Sequence, residues 1–235
     1  MNRICTICAR GGSKGVKNKN LKQILGKPLI AHSIIQAQKS NLFDIIAVSS
    51  DSEAILEVAK EYNADVIVHR PDALADDTAA KAPAIRHCVI EAENQTNTTF
   101  DTMVDIDATS PLRTIEDLQN AVHKLEKSSL AKNLITGMNA RRSPYFNLVE
   151  ETSNGFVTLS KKLTQNFVRR QDVPKAYDMN ASIYIWKRKS FFEGPNVFTD
   201  ATILYEMPEE RSIDIDSPLD FEFVSFLAEK RGNLS

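Results

Sequence analysis

Ile4-Cys5-Thr6-Ile7-Cys8-Ala9-Arg10-Gly11-Gly12-Ser13-Lys14-Gly15-Val16-Lys17-Asn18-Lys19-Asn20-Leu21 begins as a short apolar strand and runs straight into a loop of three glycines and four cations. Glycines permit backbone conformations closed to other residues and let N–H groups approach an anion. Arg10, Lys14, Lys17 and Lys19 add positive charge where several phosphates would sit. The loop is not a Walker A, because no register supplies G-x-x-x-x-G-K-[ST]. It is not a dinucleotide fingerprint either. Gly12 and Gly15 fit its last two glycine positions, but Arg10 stands where the first belongs. A strand feeding an anion-binding loop at the start of a chain predicts an α/β sheet whose ligand lies beyond the carboxyl ends of the strands.

The text that follows alternates accordingly. Pro28–Gln38 reads as a helix with Pro28 in its first turn, and Ile45–Val48 as a second buried strand. Ser52 is placed to cap a helix carrying Ile55, Val58, Ala59 and Tyr62. Val66–Val68 reads as a strand, Ala82–Ala92 as a helix and Met103–Asp107 as the fourth strand. Thr114 opens a helix with Leu118, Ala121, Val122 and Leu125 at i, i+3, i+4 and i+7, and Leu134–Thr136 rejoins the sheet. Such alternation predicts a doubly wound, mostly parallel sheet. Between about residues 140 and 177 the helical period fades around Glu150-Glu151-Thr152-Ser153-Asn154-Gly155, which predicts an inserted subdomain with hairpin character. The sheet is expected to resume at Ser182–Trp186 and Arg211–Asp216. A final helix is expected from Ser217-Pro218, with Leu219, Phe223, Phe226 and Leu227 on its apolar face.

The 235 residues suit a single domain, 1–235, with the insertion as an appendage. A formal net charge of −2 gives no basic footprint for nucleic acid. No run approaches the ~18 apolar residues of a membrane span, and the first residues lack the pattern of a signal peptide. A cytoplasmic location is the expectation. Cys5, Cys8 and Cys88 do not form a disulfide framework. Cys5 and Cys8 lie on opposite faces of one strand, as small buried hydrophobes would. The four histidines show no metal-ligand spacing.

Two acid pairs remain. Asp214-Ile215-Asp216, on the expected strand, would point both carboxylates one way and suit Mg²⁺, which takes one or two carboxylates together with substrate phosphates. The plainer role for Asp216 is a cap on the following helix. Asp105-Ile106-Asp107 repeats the geometry at the end of strand four. Asp107 is therefore a further metal candidate, with capping of the Thr109-Ser110-Pro111 turn as its plainer role.

Taken in order along the chain, these segments resemble the acylneuraminate cytidylyltransferases, the CMP-sialic and CMP-legionaminic acid synthetases. The resemblance runs through Ala9–Gly15 with Lys19-Asn20-Leu21, Ser49-Ser50-Asp51, Arg70-Pro71 with Asp77-Thr78, and Ala108–Arg113. It continues through Arg169–Asp172, Asn180–Tyr184 and Ser212–Asp216. It implies a Rossmann-like nucleotidyltransferase that joins CMP from CTP to the C2 hydroxyl of a nonulosonic acid, with Mg²⁺, or alternatively Mn²⁺, as cofactor. Arg10, Gly11, Gly12, Ser13, Lys14, Lys19 and Asn20 would hold CTP, and Arg70 would lie near the cytosine. Arg10, Lys14, Lys19 and Asp214 would carry the catalysis. Arg170, Asn180, Tyr184 and Asp107 would meet the sugar, and Asp214 and Asp216, with Asp107 as a third candidate, would meet the metal. A homodimer is implied, the inserted dimerisation subdomain reaching toward its partner's site. Two positions depart from the family's pattern. Asp107 stands where many bacterial members carry Gln, and Asp178 where some carry Arg. Legionaminic and pseudaminic acids are therefore candidates beside N-acetylneuraminic acid. The rival readings are a synthetase for Kdo, another sugar nucleotidyltransferase, and a non-catalytic nucleotide-binding module.

Overall fold

β1 (Arg3–Cys8) is buried on both faces and lies inside a seven-stranded sheet. The structure, a computed structural model, describes residues 1–12, 15–75, 81–162, 169, 172–194 and 196–234. After β1 come a small ribbon of β2 (Gln23–Ile24) and β3 (Lys27–Pro28), then α1 (Leu29–Ser40), β4 (Ile45–Ser50), α2 (Glu53–Glu61) and β5 (Val66–His69). The chain continues through α3 (Lys81–Thr96), β6 (Thr102–Ile106), α4 (Ile115–Lys127) and β7 (Asn133–Asn139). β8 (Val149–Glu151), β9 (Val157–Leu159), β10 (Tyr177–Lys187), α5 (Arg188–Glu193), β11 (Thr202–Glu206) and α6 (Pro218–Arg231) complete it.

The strand order is β11-β7-β10-β6-β1-β4-β5, and only β10 runs antiparallel to its neighbours. The alternation within β1 assigns the two faces. Cys5 and Ile7 meet α1, α2 and α4 through Ile34, Ile55 and Leu118, whereas Ile4 meets α3 and α5 through Ile85, Cys88 and Phe191. Cys5 and Cys8 pack on opposite faces, and all three cysteines are free. From β1 the chain winds outward through β4 to β5, and α3 then carries it back to β6 on the other side of β1. That reversal leaves a crevice at the carboxyl ends of β1 and β6, the place where open α/β sheets bind ligands.

Three expectations need correction. Pro28 precedes α1 as its N-cap rather than lying in its first turn. Arg211–Asp216 is not a strand. Glu209–Arg211 forms a 3-10 turn, and the last sheet strand is β11, a stretch for which the sequence raised no strand expectation. Ile213 and Ile215 gave this segment its strand-like alternation, but they enter a third cluster with Val16, Leu29, Leu112 and Val224. On α6 the buried stripe is Val224 and Ala228, with Phe221 and Leu227 packed beside it, while Leu219, Phe223 and Phe226 are exposed. With apolar residues around most of the helix, side-chain size pointed to the wrong face. The insertion does form a hairpin, β8 against β9.

Candidate active site

The loop after β1 is tied down by its own backbone. Gly11 N donates to Asp51 Oδ1 at 2.9 Å, and Ala9 N to Ser49 O at 3.0 Å. Asn20 is buried, and its Nδ2 donates to Arg10 O at 3.0 Å. Its Oδ1 has no hydrogen-bond partner among the described residues, so it is an acceptor available to a hydroxyl. Gly12 has open space around the position a Cβ would take, so the protein itself does not demand glycine there. At Gly15 a Cβ would lie 1.9 Å from Asp216 O. Only glycine lets the basic loop lie against the acid segment. Lys19 Nζ completes the junction, donating to Ile215 O and lying 3.5 Å from Asp216 Oδ1.

Ile215 is fully buried and its N–H donates to Thr109 O at 2.9 Å, which fixes the two acids on either side of it. The N-cap of α6 is Ser217, in a capping box with Asp220, and Asp220 Oδ2 also accepts from Asp216 N at 3.1 Å. The capping role that Asp216 was a candidate for thus belongs to its neighbours, and the Asp216 carboxylate is left largely exposed beside Lys19. Burial, and then the charge of Asp216, push the Asp214 carboxyl up. Two crowded carboxylates form an all-oxygen donor set suited to a hard divalent ion that fills its remaining positions with water and phosphate oxygen. Among the described residues no cluster of three or more metal-ligating side chains is found.

Asp107 sits across the crevice in a different environment. Its Oδ1 accepts from Thr109 N and Thr109 Oγ1, both at 3.0 Å, so the turn-capping role is filled as well. Its Oδ2 accepts from Lys81 Nζ at 2.8 Å. Burial would raise this carboxyl, but Lys81 and the Thr109 donors outweigh burial and hold it at about 2. Lys81 Nζ also lies 2.9 Å from Oδ2 of the fully buried Asp105 and 4.6 Å from the centroid of the Tyr184 ring. Beneath them Arg113 is buried, and Nη1 donates to the carbonyls of Asp107 (2.8 Å), Ser110 (2.9 Å) and Ser182 (3.3 Å). Burial draws the Arg113 guanidinium down to about 10.

The structure brings Arg10, Gly11, Gly12, Lys19, Asn20, Asp214 and Asp216 to one end of the sheet, with Asp107 and Tyr184 beside them. Tyr184 stacks on Trp186 and faces Lys81. Arg70 is buried at the end of β5, donating from Nη2 to Ser49 O at 2.8 Å and from Nε to Ser49 Oγ at 3.3 Å. The Asn180 amide is engaged inside the protein. Oδ1 accepts from Thr136 Oγ1 and Ser182 N, and Nδ2 meets Met207 Sδ, at the irregularity in β10 between Met179 and Tyr184. Asp178 accepts from Arg141 N at 3.1 Å. Ser13, Lys14 and Arg170 lie outside the described residues, as do Asp77 and Thr78.

Comparison with known proteins gives this constellation its context. A sequence model described as cytidylyltransferase matches residues 4–231. The chain belongs to the cytidylyltransferase family. Within that family it is 48% identical over 224 residues to the CMP-N,N'-diacetyllegionaminic acid synthase of Campylobacter jejuni, covering 95% of this chain and 94% of that one. It is 47% identical over 228 residues to post-translational flagellin modification protein B of Campylobacter coli, covering 97% and 95% of the two chains. Among solved structures, CMP:2-keto-3-deoxy-manno-octonic acid synthetase complexed with CTP has the same fold. The TM-score is 0.70 at 14% identity, over 98% of this chain and 100% of that one.

For this cytidylyltransferase, sequence reasoning gave no role to Lys81, Asp105, Arg113 or Asp51. Lys81 lies just before the helix expected from Ala82, and no sequence signal marked it. Arg113 closes the Ala108–Arg113 motif, but nothing in a sequence distinguishes a fully buried arginine from an exposed one.

Proposed function

We propose that the chain is a CMP-nonulosonate synthetase, transferring CMP from CTP to the C2 hydroxyl of a nonulosonic acid, with N,N'-diacetyllegionaminic acid as the first candidate acceptor. The reading is carried by the junction of Gly15 and Lys19 with Asp216, which puts a phosphate-binding loop and an uncapped acid pair in contact. The name of the 48%-identical relative supports this choice of acceptor over others.

In this reading Arg10, Lys19 and the backbone of Gly12 bind the CTP phosphates, joined by Ser13 and Lys14, while Gly11, bonded through its N–H to Asp51, holds the loop in place. The Asn20 Oδ1 accepts a ribose hydroxyl, and Arg70 lies on the cytosine side. Asp214 and Asp216 hold Mg²⁺, or Mn²⁺ in its place, which when bound neutralises phosphate charge. Arg170, Tyr184 and Asn180 belong to the acceptor side, with Asn180 acting through the strand it supports. The acceptor hydroxyl attacks the α-phosphorus in line. The new C2–O–P bond forms as the bond from the α-phosphorus to the bridging oxygen breaks, the hydroxyl proton passes to solvent water, and pyrophosphate leaves with the electron pair. Catalysis of this kind is mainly positioning and charge stabilisation.

Homodimerisation through the segment of about residues 140–177 is part of the proposal, as is a cytoplasmic location. Leu148, Val149, Phe156 and Val157 are exposed on that hairpin, and no helix among the described residues is long and apolar enough to cross a membrane.

The test is Asp214→Asn and Asp216→Asn, each assayed for Mg²⁺-dependent turnover and for CTP affinity. We expect kcat to fall by about 100-fold or more, in the range of lost charge stabilisation, with a smaller change in nucleotide binding. Normal turnover in both variants would remove the assignment.

A further inference from the structure

We propose that Lys81 is the built-in cation of this site: its ammonium, clamped between Asp105 and Asp107, stands where a second divalent ion would have to bind, so the reaction runs with one exchangeable metal and one fixed positive charge. The inference rests on the cytidylyltransferase reading above and deepens it.

Asp107 has the position of a second metal ligand, at the carboxyl end of β6 and across the crevice from Asp214 and Asp216. Three of its about four acceptor positions are already taken. Oδ1 takes two bonds from Thr109, and Oδ2 takes the ammonium of Lys81 at 2.8 Å. A divalent ion on Oδ2 would have to displace that ammonium or lie against it, with like charges in contact. Displacement is resisted from the other side. Asp105 is 0% exposed, its Oδ1 accepts from Thr6 Oγ1 at 2.8 Å, and the contact of its Oδ2 at 2.9 Å is with Lys81. Moving Lys81 would leave a buried carboxylate without its counter-charge, which is strongly unfavourable. The Tyr184 ring 4.6 Å away adds a third attraction for the cation.

The Lys81 ammonium has carboxylate oxygens at 2.8 and 2.9 Å and an aromatic ring centroid at 4.6 Å. Lys81 is therefore a charge and not a proton acceptor. The Lys81 side chain is 32% exposed. In two-metal sites the second ion stabilises the attacking oxygen. Here the ammonium takes that part, meeting negative charge on the acceptor hydroxyl as its proton leaves.

The test counts metal and turnover separately on the full-length chain. Mn²⁺ bound per chain is measured by electron paramagnetic resonance, with protein in excess over CTP, for the wild type and for Asp107→Asn. We expect one uncoupled Mn²⁺ per CTP-bound chain, unchanged in number and within threefold in affinity in Asp107→Asn. Two Mn²⁺ per chain with a spin-coupled signal, falling to one in Asp107→Asn, would overturn the proposal. In parallel, Lys81→Met should lower kcat by about 100-fold with CTP affinity within threefold, and Lys81→Arg should recover at least tenfold of that loss. Turnover of Lys81→Met within threefold of wild type would also overturn it. The double variant Lys81→Met with Asp105→Asn removes the unpaired buried acid and serves if the single variant does not fold. A wild type that binds one Mn²⁺ but transfers no CMP contradicts the reaction reading. An active enzyme with two contradicts the role of Lys81 alone.

Discussion

The carboxylate of Asp220, and not that of Asp216, closes the first turn of α6, and this separates the two acid pairs of the crevice. The Asp216 carboxylate caps no helix, lies largely exposed beside Lys19 and is expected to meet a ligand, whereas Asp107 is bound on both oxygens and contributes to folding. The Asp107 carboxyl drops from 3.8 to about 2 on folding. A depressed carboxyl stabilises the fold above its unfolded value and loses that contribution as pH falls through the folded one. Asp107→Asn should therefore cost roughly 2 kcal/mol at pH 7 and about half that at pH 3, read by urea denaturation of the metal-free protein. An equal offset at both pH values would contradict the ion pair. At this scale the sequence was legible for residue types but not for environments. Both aspartate pairs read alike, and the difference between them is set by Lys81, 26 positions before Asp107, and by a cap one turn into α6.

The site at the level of elements is a junction between the loop after β1 and the segment before α6, and Gly15 is its closest point. Gly15→Ala has no room against Asp216 O, so one segment must shift. Turnover should fall by about 100-fold, as expected for misplacement near an ångström. Gly12→Ala meets nothing among the described residues and should leave Tm unchanged, so any loss of CTP affinity would report how closely the nucleotide approaches. A large drop in Tm for Gly12→Ala would contradict this description of the loop. The acid segment has a second anchor. Arg211 makes two bonds to the buried Asp117, at 2.8 and 2.9 Å, and Asp117 also caps α4. Arg211→Ala should destabilise the protein by about 3 kcal/mol in chemical denaturation, and a loss below about 1 kcal/mol would contradict a structural anchor. Most elements could be read from period and punctuation, because β1, β4, β6 and α4 each satisfy local preference and burial together. β11 and the Arg211–Asp216 segment could not. Alternating apolar residues look the same in a strand and in a chain that inserts its isoleucines into a cluster with α6.

At the scale of the whole molecule, the order of the strands places the crevice, and the β8–β9 hairpin is the proposed dimer contact. Leu148, Val149, Phe156 and Val157 are between 45% and 74% exposed on a hairpin that packs little of itself. Apolar patches of this kind mark interfaces. Sedimentation should find a dimer at micromolar concentration, and Phe156→Asp with Val157→Asp should give a folded monomer. A monomeric wild type would contradict the proposed subunit arrangement. The doubly wound sheet could be inferred from the alternation of strand-like and helix-like stretches along the chain. The acceptor could not, since it depends on side chains from β6, α3 and β10 that only folding brings together. The most direct measurement is pyrophosphate release from CTP and Mg²⁺ by the purified chain, with N,N'-diacetyllegionaminic, pseudaminic, N-acetylneuraminic and Kdo sugars tested in parallel. The account predicts release with a nonulosonic acid, greatest with N,N'-diacetyllegionaminic acid, and formation of one CMP-sugar per pyrophosphate. Release with Kdo alone, or none with any of the four, would contradict it.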